Sequence, residues 1–205
     1  MNVRRLDPGA EPFTAAYPTG DDEESFAALP AAALGFLISL ASSIGAKRVF
    51  EFGSGKSTAA FVGAGLEVTC LEHSEYWMNE TLARIHPGRR PKLASHVVPL
   101  ATCWCGGVPM QGWPLARPWG EALRAADLVL VDSPCYVPYR EHTLMQALSQ
   151  TRAVVVIDDT RIPTVARFCD RLAAANSRQR HFYEQERLNS RSPPQPLLGH
   201  GGTFQ

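Results

Sequence analysis

Two stretches of this chain are apolar at every position: Leu128-Val129-Leu130-Val131 and Ala153-Val154-Val155-Val156-Ile157. A strand with one face in water alternates apolar and polar side chains, so an unbroken apolar run implies that both faces are covered. Helices must therefore lie on both sides of whatever sheet these strands join. Strand candidates fall at 49–52, 67–71, 96–100, 127–132 and 154–158, with a weaker one at 181–188. Helical patterns at 57–63, 76–85, 139–149 and 164–176 occupy the gaps between them. Alternation of this kind predicts an α/β fold, a doubly wound and mostly parallel sheet of Rossmann-like form with helices on both faces. Ligands of such folds bind in the crevice outside the carboxyl ends of the strands.

The chain has 205 residues, enough for one domain with a sizeable core. Residues 1–24, rich in proline, glycine and acids, read as an N-terminal arm or lid, and 25–205 as a single α/β domain. No charge occurs from 25 to 46, a length that would cross a bilayer. Alanine, serine, glycine and Pro30 dilute that segment, and Phe36, Leu37, Leu40, Ser43 and Ile44 fall at helical spacing, so a buried helix leading into the first strand is expected. Lysine plus arginine equals aspartate plus glutamate at 20 each, so no global field points to nucleic acid or to an anionic membrane. Five cysteines, an odd number without a secretory n-region, suit a cytoplasmic setting. Cys103 and Cys105, one residue apart, lack the paired spacing of a structural zinc knuckle. Segment 103–120 carries Trp104, Trp113 and Trp119 amid proline and glycine. It reads as an ordered loop in place of a helix, either a substrate wall or a self-packed surface loop. The proline- and glycine-rich tail 190–205 reads as a last short strand or loose chain.

The richest chemistry lies in Val49-Phe50-Glu51-Phe52-Gly53-Ser54-Gly55-Lys56-Ser57-Thr58. A strand passes through a glycine turn into a helix, letting backbone N–H groups approach a ligand. Gly55-Lys56-Ser57 matches the end of a phosphate-binding loop, but Phe50 stands where that motif needs its first glycine. A dinucleotide fingerprint would need glycines at 53, 55 and 58, and Thr58 occupies the last place. The third reading uses Glu51, two residues before Gly53, as an acceptor for a cationic or amino-bearing ligand. The bland alternative is a turn that merely joins strand to helix. Seventeen positions after Gly55, the next apolar run ends in Glu72, placed to take both hydroxyls of a ribose or to sit as a solvated strand-end charge.

The pattern Glu51-x-Gly53-x-Gly55-x-Ser57-Thr58, followed by Glu72-His73, resembles the first motifs of class I S-adenosylmethionine (SAM)-dependent methyltransferases. That resemblance covers roughly residues 33–176. It implies a SAM-binding domain over 25–205, with Glu51, Gly53, Ser54, Gly55, Ser57, Thr58, Glu72 and His73 as cofactor-binding residues. After the third strand many of these enzymes carry an acid near adenine, where this chain has Leu100-Ala101-Thr102. Two later strands also end in acids, Asp132 and Asp158-Asp159, and carboxylates crowded on one rim need cationic or donor partners. This pattern is similar to metal-dependent O-methyltransferases of the catechol and macrolide-sugar types. It implies Asp132, Asp158 and Asp159 as ligands of Mg²⁺, with Asp132 the catalytic candidate. Without a metal, Asp132 would touch the methionine part of SAM, and Asp158 and Asp159 would cap a turn or pair with Arg161. His142 and His73 are the histidines nearest these motifs, and each reads more readily as structural than catalytic.

The expected function is methyl transfer from SAM to a small molecule, at an oxygen, with or without Mg²⁺. The competing readings are an NTPase using Lys56 and Asp158, and a methyltransferase-like binding protein without catalysis. A small-molecule acceptor is the expected partner, with neither nucleic acid nor membrane indicated.

Overall fold

The computed structural model of the chain describes residues 29, 31–105, 108–114, 119–132, 139–158 and 163–175. The arm expected over 1–24, the weaker strand expected at 181–188, the tail and Asp159 lie outside them. Helix α1 (Ala31–Ser43) leads into β1 (Arg48–Phe52), and α2 (Lys56–Gly63) into β2 (Glu67–Glu72). Helix α3 (Glu75–Arg84) and a 3₁₀ turn (Pro87–Lys92) reach β3 (Leu93–Val97). Then come β4 (Ala101–Cys105), β5 (Val108–Gly112), α4 (Trp119–Ala125) and β6 (Leu128–Val131). Helix α5 (Tyr139–Gln150), β7 (Val154–Ile157) and α6 (Pro163–Ala175) complete the described order.

Five strands form one sheet in the order β3-β2-β1-β6-β7, every pair parallel. The order runs outward from β1 in both directions, so the chain reverses between β1 and β6. Even in the unbroken apolar runs the pleat sorts side chains to two cores. Val49, Val68, Cys70, Leu128 and Leu130 face one layer with Leu37 and Leu40 of α1, Phe61 and Val62 of α2 and Met78 of α3. Phe50, Phe52, Leu71, Val129 and Val131 face the other, with Trp113, Leu123 of α4 and Ala147 of α5. Each fully buried phenylalanine on that second face contributes about 1.5–3 kcal/mol of apolar burial.

Helix α1 has 13 residues, and two positions past its end Gly45 takes a φ of 66°, which suits a residue without Cβ. No helix among the described residues is long and apolar enough to cross a membrane. Asp127 fixes the lower end of the sheet: its Oδ2 accepts from Lys47 N at 3.0 Å and Arg48 N at 2.9 Å.

Two sequence expectations change here. The third strand is Leu93–Val97, not 96–100. It is an edge strand, half exposed along its length, so it needs no continuous apolar run, and Pro99 lacks the N–H to continue the ladder. The segment 103–120 is not a loop: β4 and β5 pair as an antiparallel hairpin, Ala101 opposite Gly112, and α4 follows. The Gly106-Gly107 pair between the two strands is a hairpin signal, masked in sequence by the surrounding tryptophans and prolines.

Candidate functional site

Strand β1 runs through Phe52, so only Gly53, Ser54 and Gly55 connect it to α2. Gly53 has φ of 110°, a conformation that a side chain would strain, and its N–H still pairs with Leu71 O at 2.7 Å. A Cβ built on Gly55 would meet nothing within 4 Å, so the loop keeps an open side on which a ligand can rest. With Phe50 fully buried in mid-strand, three residues are too few to wrap a polyphosphate as a phosphate-binding loop does. Lys56 opens the helix and is exposed.

The two acids of the motif take different positions. Glu51 is 1 % exposed and turned under the helix start. Its Oε1 accepts from Ser57 Oγ and its Oε2 from Thr58 Oγ1 at 2.6 Å. Thr58 Oγ1 in turn accepts from Gly55 N at 3.0 Å. Sequence suggested an acceptor open to a ligand; in the fold Glu51 acts on the loop and the first turn of α2. Burial pushes its carboxyl up, the two hydroxyl bonds pull it back, and the nearby Glu72 charge adds to the rise, leaving it at about 7.

Glu72 stands at the carboxyl end of β2, beside the loop. Its Oε2 accepts from Ser54 N at 3.0 Å and Ser54 Oγ at 3.3 Å. Its Oε1 accepts from His73 N at 2.7 Å and Ser74 N at 2.9 Å and lies 3.0 Å from His73 Nδ1. Burial raises this carboxyl too, but the bonds from the His73 side chain and the Ser74 backbone outweigh it and hold it below the usual value. Helix α3 is started locally by the Ser74 hydroxyl, which accepts from Trp77 N at 3.4 Å. Thr81 on α3 closes the group, its Oγ1 donating to Ser54 Oγ at 3.2 Å.

Asp132 and Asp158 sit at the same rim. Asp132 N donates to Phe52 O at 3.1 Å and Asp158 N to Val131 O at 3.1 Å, each one step past a strand end. Glu72, the glycine loop, Asp132 and Asp158 thus follow one another along the carboxyl edge of four neighbouring strands. Among the described residues no three His, Cys, Asp or Glu side chains converge as a metal group would require.

Trp113 and His142, which the sequence did not connect, and Gln146, which it did not single out, pack together beside this group. Trp113 is fully buried, donates from Nε1 to Val98 O at 3.0 Å, and packs on Phe52 with ring centroids 5.7 Å apart. Its ring lies 6.3 Å from that of His73, edge on. Gln146 Nε2 of α5 donates to Trp113 O at 2.8 Å. His142, 8 % exposed, lies against Gly112, and burial lowers its pKa. Its Nδ1 has no hydrogen-bond partner. Nothing in the spacing of Trp113, His142 or Gln146 links them, because their contact is made by the hairpin.

This parallel five-stranded sheet, with its glycine loop after β1 and acid after β2, is a Rossmann-like α/β fold. Among solved structures it is similar to the O-methyltransferase TomG of Streptomyces achromogenes, involved in tomaymycin synthesis and determined in complex with SAM. The two are 22 % identical with a TM-score of 0.52, over 72 % of this chain and 70 % of that one. Cofactor-bound Rv0187 from MTB is 24 % identical with a TM-score of 0.48, over 72 % and 68 %. No protein-family model matches the chain, and no curated protein matches it in sequence.

Proposed function

We propose that this chain is a SAM-dependent methyltransferase that acts on a small molecule at an oxygen. The observation that carries the reading is the pairing of an open three-residue glycine loop with a pre-bonded carboxylate, Glu72, on the adjacent parallel strand. SAM, when bound, supplies a methyl group on a positively charged sulfur. The protein's work is then alignment of acceptor and methyl group. Glu72 would take the ribose hydroxyls in exchange for its 3.3 Å contact to Ser54 Oγ, a hydroxyl that would keep a partner in Thr81. His73 would border the adenine, and Gly53, Ser54 and Gly55 would hold the amino-acid part. Glu51, Ser57 and Thr58 set the loop's shape from below.

Asp132 is the catalytic candidate, at the end of β6 between the loop and α5. Asp132 and Asp158, with Asp159, would hold Mg²⁺; a cation that keeps several waters needs only one or two protein carboxylates. Bound there, it would polarise the acceptor hydroxyl.

Calorimetric titration with S-adenosylhomocysteine (SAH) tests the reading, with ATP–Mg²⁺ alongside, on wild type and Glu72→Ala. Micromolar SAH binding, lost in the variant, is expected. Ligand at 100 times Kd adds about 2.7 kcal/mol of stability, which raises Tm by roughly 5–10 °C. Binding of ATP–Mg²⁺ without SAH overturns the reading. An acceptor screen with and without Mg²⁺, repeated on Asp158→Asn, then separates metal-assisted from metal-free transfer.

A further inference from the structure

Of the two buried carboxylates among the described residues, Glu72 has His73 beside it, whereas Glu51 faces no cation. Glu51 pairs in register with Cys70 of β2 and Leu130 of β6, two residues before the loop. Glu72 and Cys70 on β2 are the charged or titratable groups that interact with it; on the neighbouring elements Asp132 follows the end of β6 and the exposed Lys56 opens α2. Cys70 stays a neutral thiol because burial raises its pKa well above the usual value. Two hydroxyls hold the Glu51 carboxyl, and one of them relays to the loop through Gly55 N–H. A buried carboxylate so placed is short of positive charge, and a cation resting on the loop would supply it.

We propose that Glu51 distinguishes the two charge states of the cofactor, favouring the sulfonium form over the thioether left after methyl transfer, by releasing its proton when the sulfonium form binds. This inference rests on the SAM reading above. On binding, the proton passes from the Glu51 carboxyl to solvent. In transfer, the acceptor hydroxyl gives up its proton to solvent as its oxygen bonds to the methyl carbon, the carbon–sulfur bond breaks, and its electron pair stays on sulfur. The positive charge is then gone, and Glu51 regains a proton from solvent as the neutral product leaves. The carboxyl is poised for this because burial holds it at about 7. The sign follows: a cation favours the ionised form, so SAM affinity rises with pH through neutrality and levels off above it. SAH lacks the sulfur charge and shows a smaller rise. Glu72 and His73, set against the adenosine that both ligands share, cancel in the ratio of affinities.

The experiment is calorimetric titration of the full chain with SAM and with SAH from about pH 5.5 to 8.5, in two buffers of different ionisation enthalpy. The preference for SAM over SAH is expected to grow roughly tenfold across that range, a shift of about one pKa unit. Near pH 7, SAM should release about half a proton more than SAH. Both effects vanish in Glu51→Gln. Ser57→Ala removes a bond that lowers the Glu51 pKa, and should move the midpoint of the ratio to higher pH. A flat ratio in wild type, with both ligands bound, overturns the proposal and leaves the cofactor reading standing. Failure of both ligands to bind overturns the two together.

Discussion

Glu51 and Glu72 are the same side-chain type near the carboxyl ends of neighbouring strands, yet the fold drives their pKa values apart. Glu72 is met by backbone N–H groups and an imidazole, donors that favour the anion, whereas Glu51 is met by hydroxyls under a helix, with no cation against it among the described residues. Gly112 shows a second residue-scale constraint. A Cβ there would lie 2.5 Å from His142 Nδ1, and the buried imidazole has little room to retreat. Gly112→Ala should destabilise the protein by about 1–3 kcal/mol through overpacking. Thermal denaturation should show Tm lowered by roughly 2–10 °C. An unchanged Tm would mean that the hairpin shifts freely on α5.

At the scale of elements, the β4–β5 hairpin is joined to the sheet through Trp113. One side chain contacts Phe52 at the end of β1, Val98 just past β3 and His73 after β2, while its carbonyl holds Gln146 of α5. Two substitutions separate these roles. Trp113→Phe keeps most of the apolar volume but leaves Val98 O without its donor, a cost of about 1–3 kcal/mol. Trp113→Ala also opens a cavity and should cost about 3–5 kcal/mol. Chemical denaturation of both variants checks the order; equal losses would show that the hydrogen bond, not the volume, dominates.

For the whole molecule, the two acids pull stability in opposite directions as pH changes. Glu51 titrates near 7 when folded and near 4.5 when unfolded. Its stabilising contribution is complete below about pH 4.5 and is lost as pH rises through 7, on the order of 3 kcal/mol in all. Glu72, with its folded pKa lowered, contributes stability above pH 4.5 that is lost as pH falls through the folded value. Glu51→Gln should therefore match wild type near pH 5 and exceed it near pH 8 by about 1–3 kcal/mol, provided the ligand is absent. Tm measured at both pH values tests this. A variant destabilised equally at both would show that the hydroxyl bonds outweigh the charge.

The parallel sheet was legible from the sequence because continuous apolar strands require cover on both faces. Four of its five strands matched their expected positions within a residue or two, as did helices α2, α3, α5 and α6, whereas α4 was not foreseen. The glycine loop and Glu72 were legible too, since loop and strand end are local in sequence. Other features depended on tertiary contacts. An edge strand, half exposed, carries no strong periodicity, so β3 was displaced in the reading. The partners of Glu51, the burial of Trp113 and its bond to Val98 join residues separated in sequence, and no local pattern encodes them. The sequence by itself determined which side chains reach the rim. Only the tertiary structure decided which carboxylate stays charged, because that depends on the donors and burial that packing brings to each.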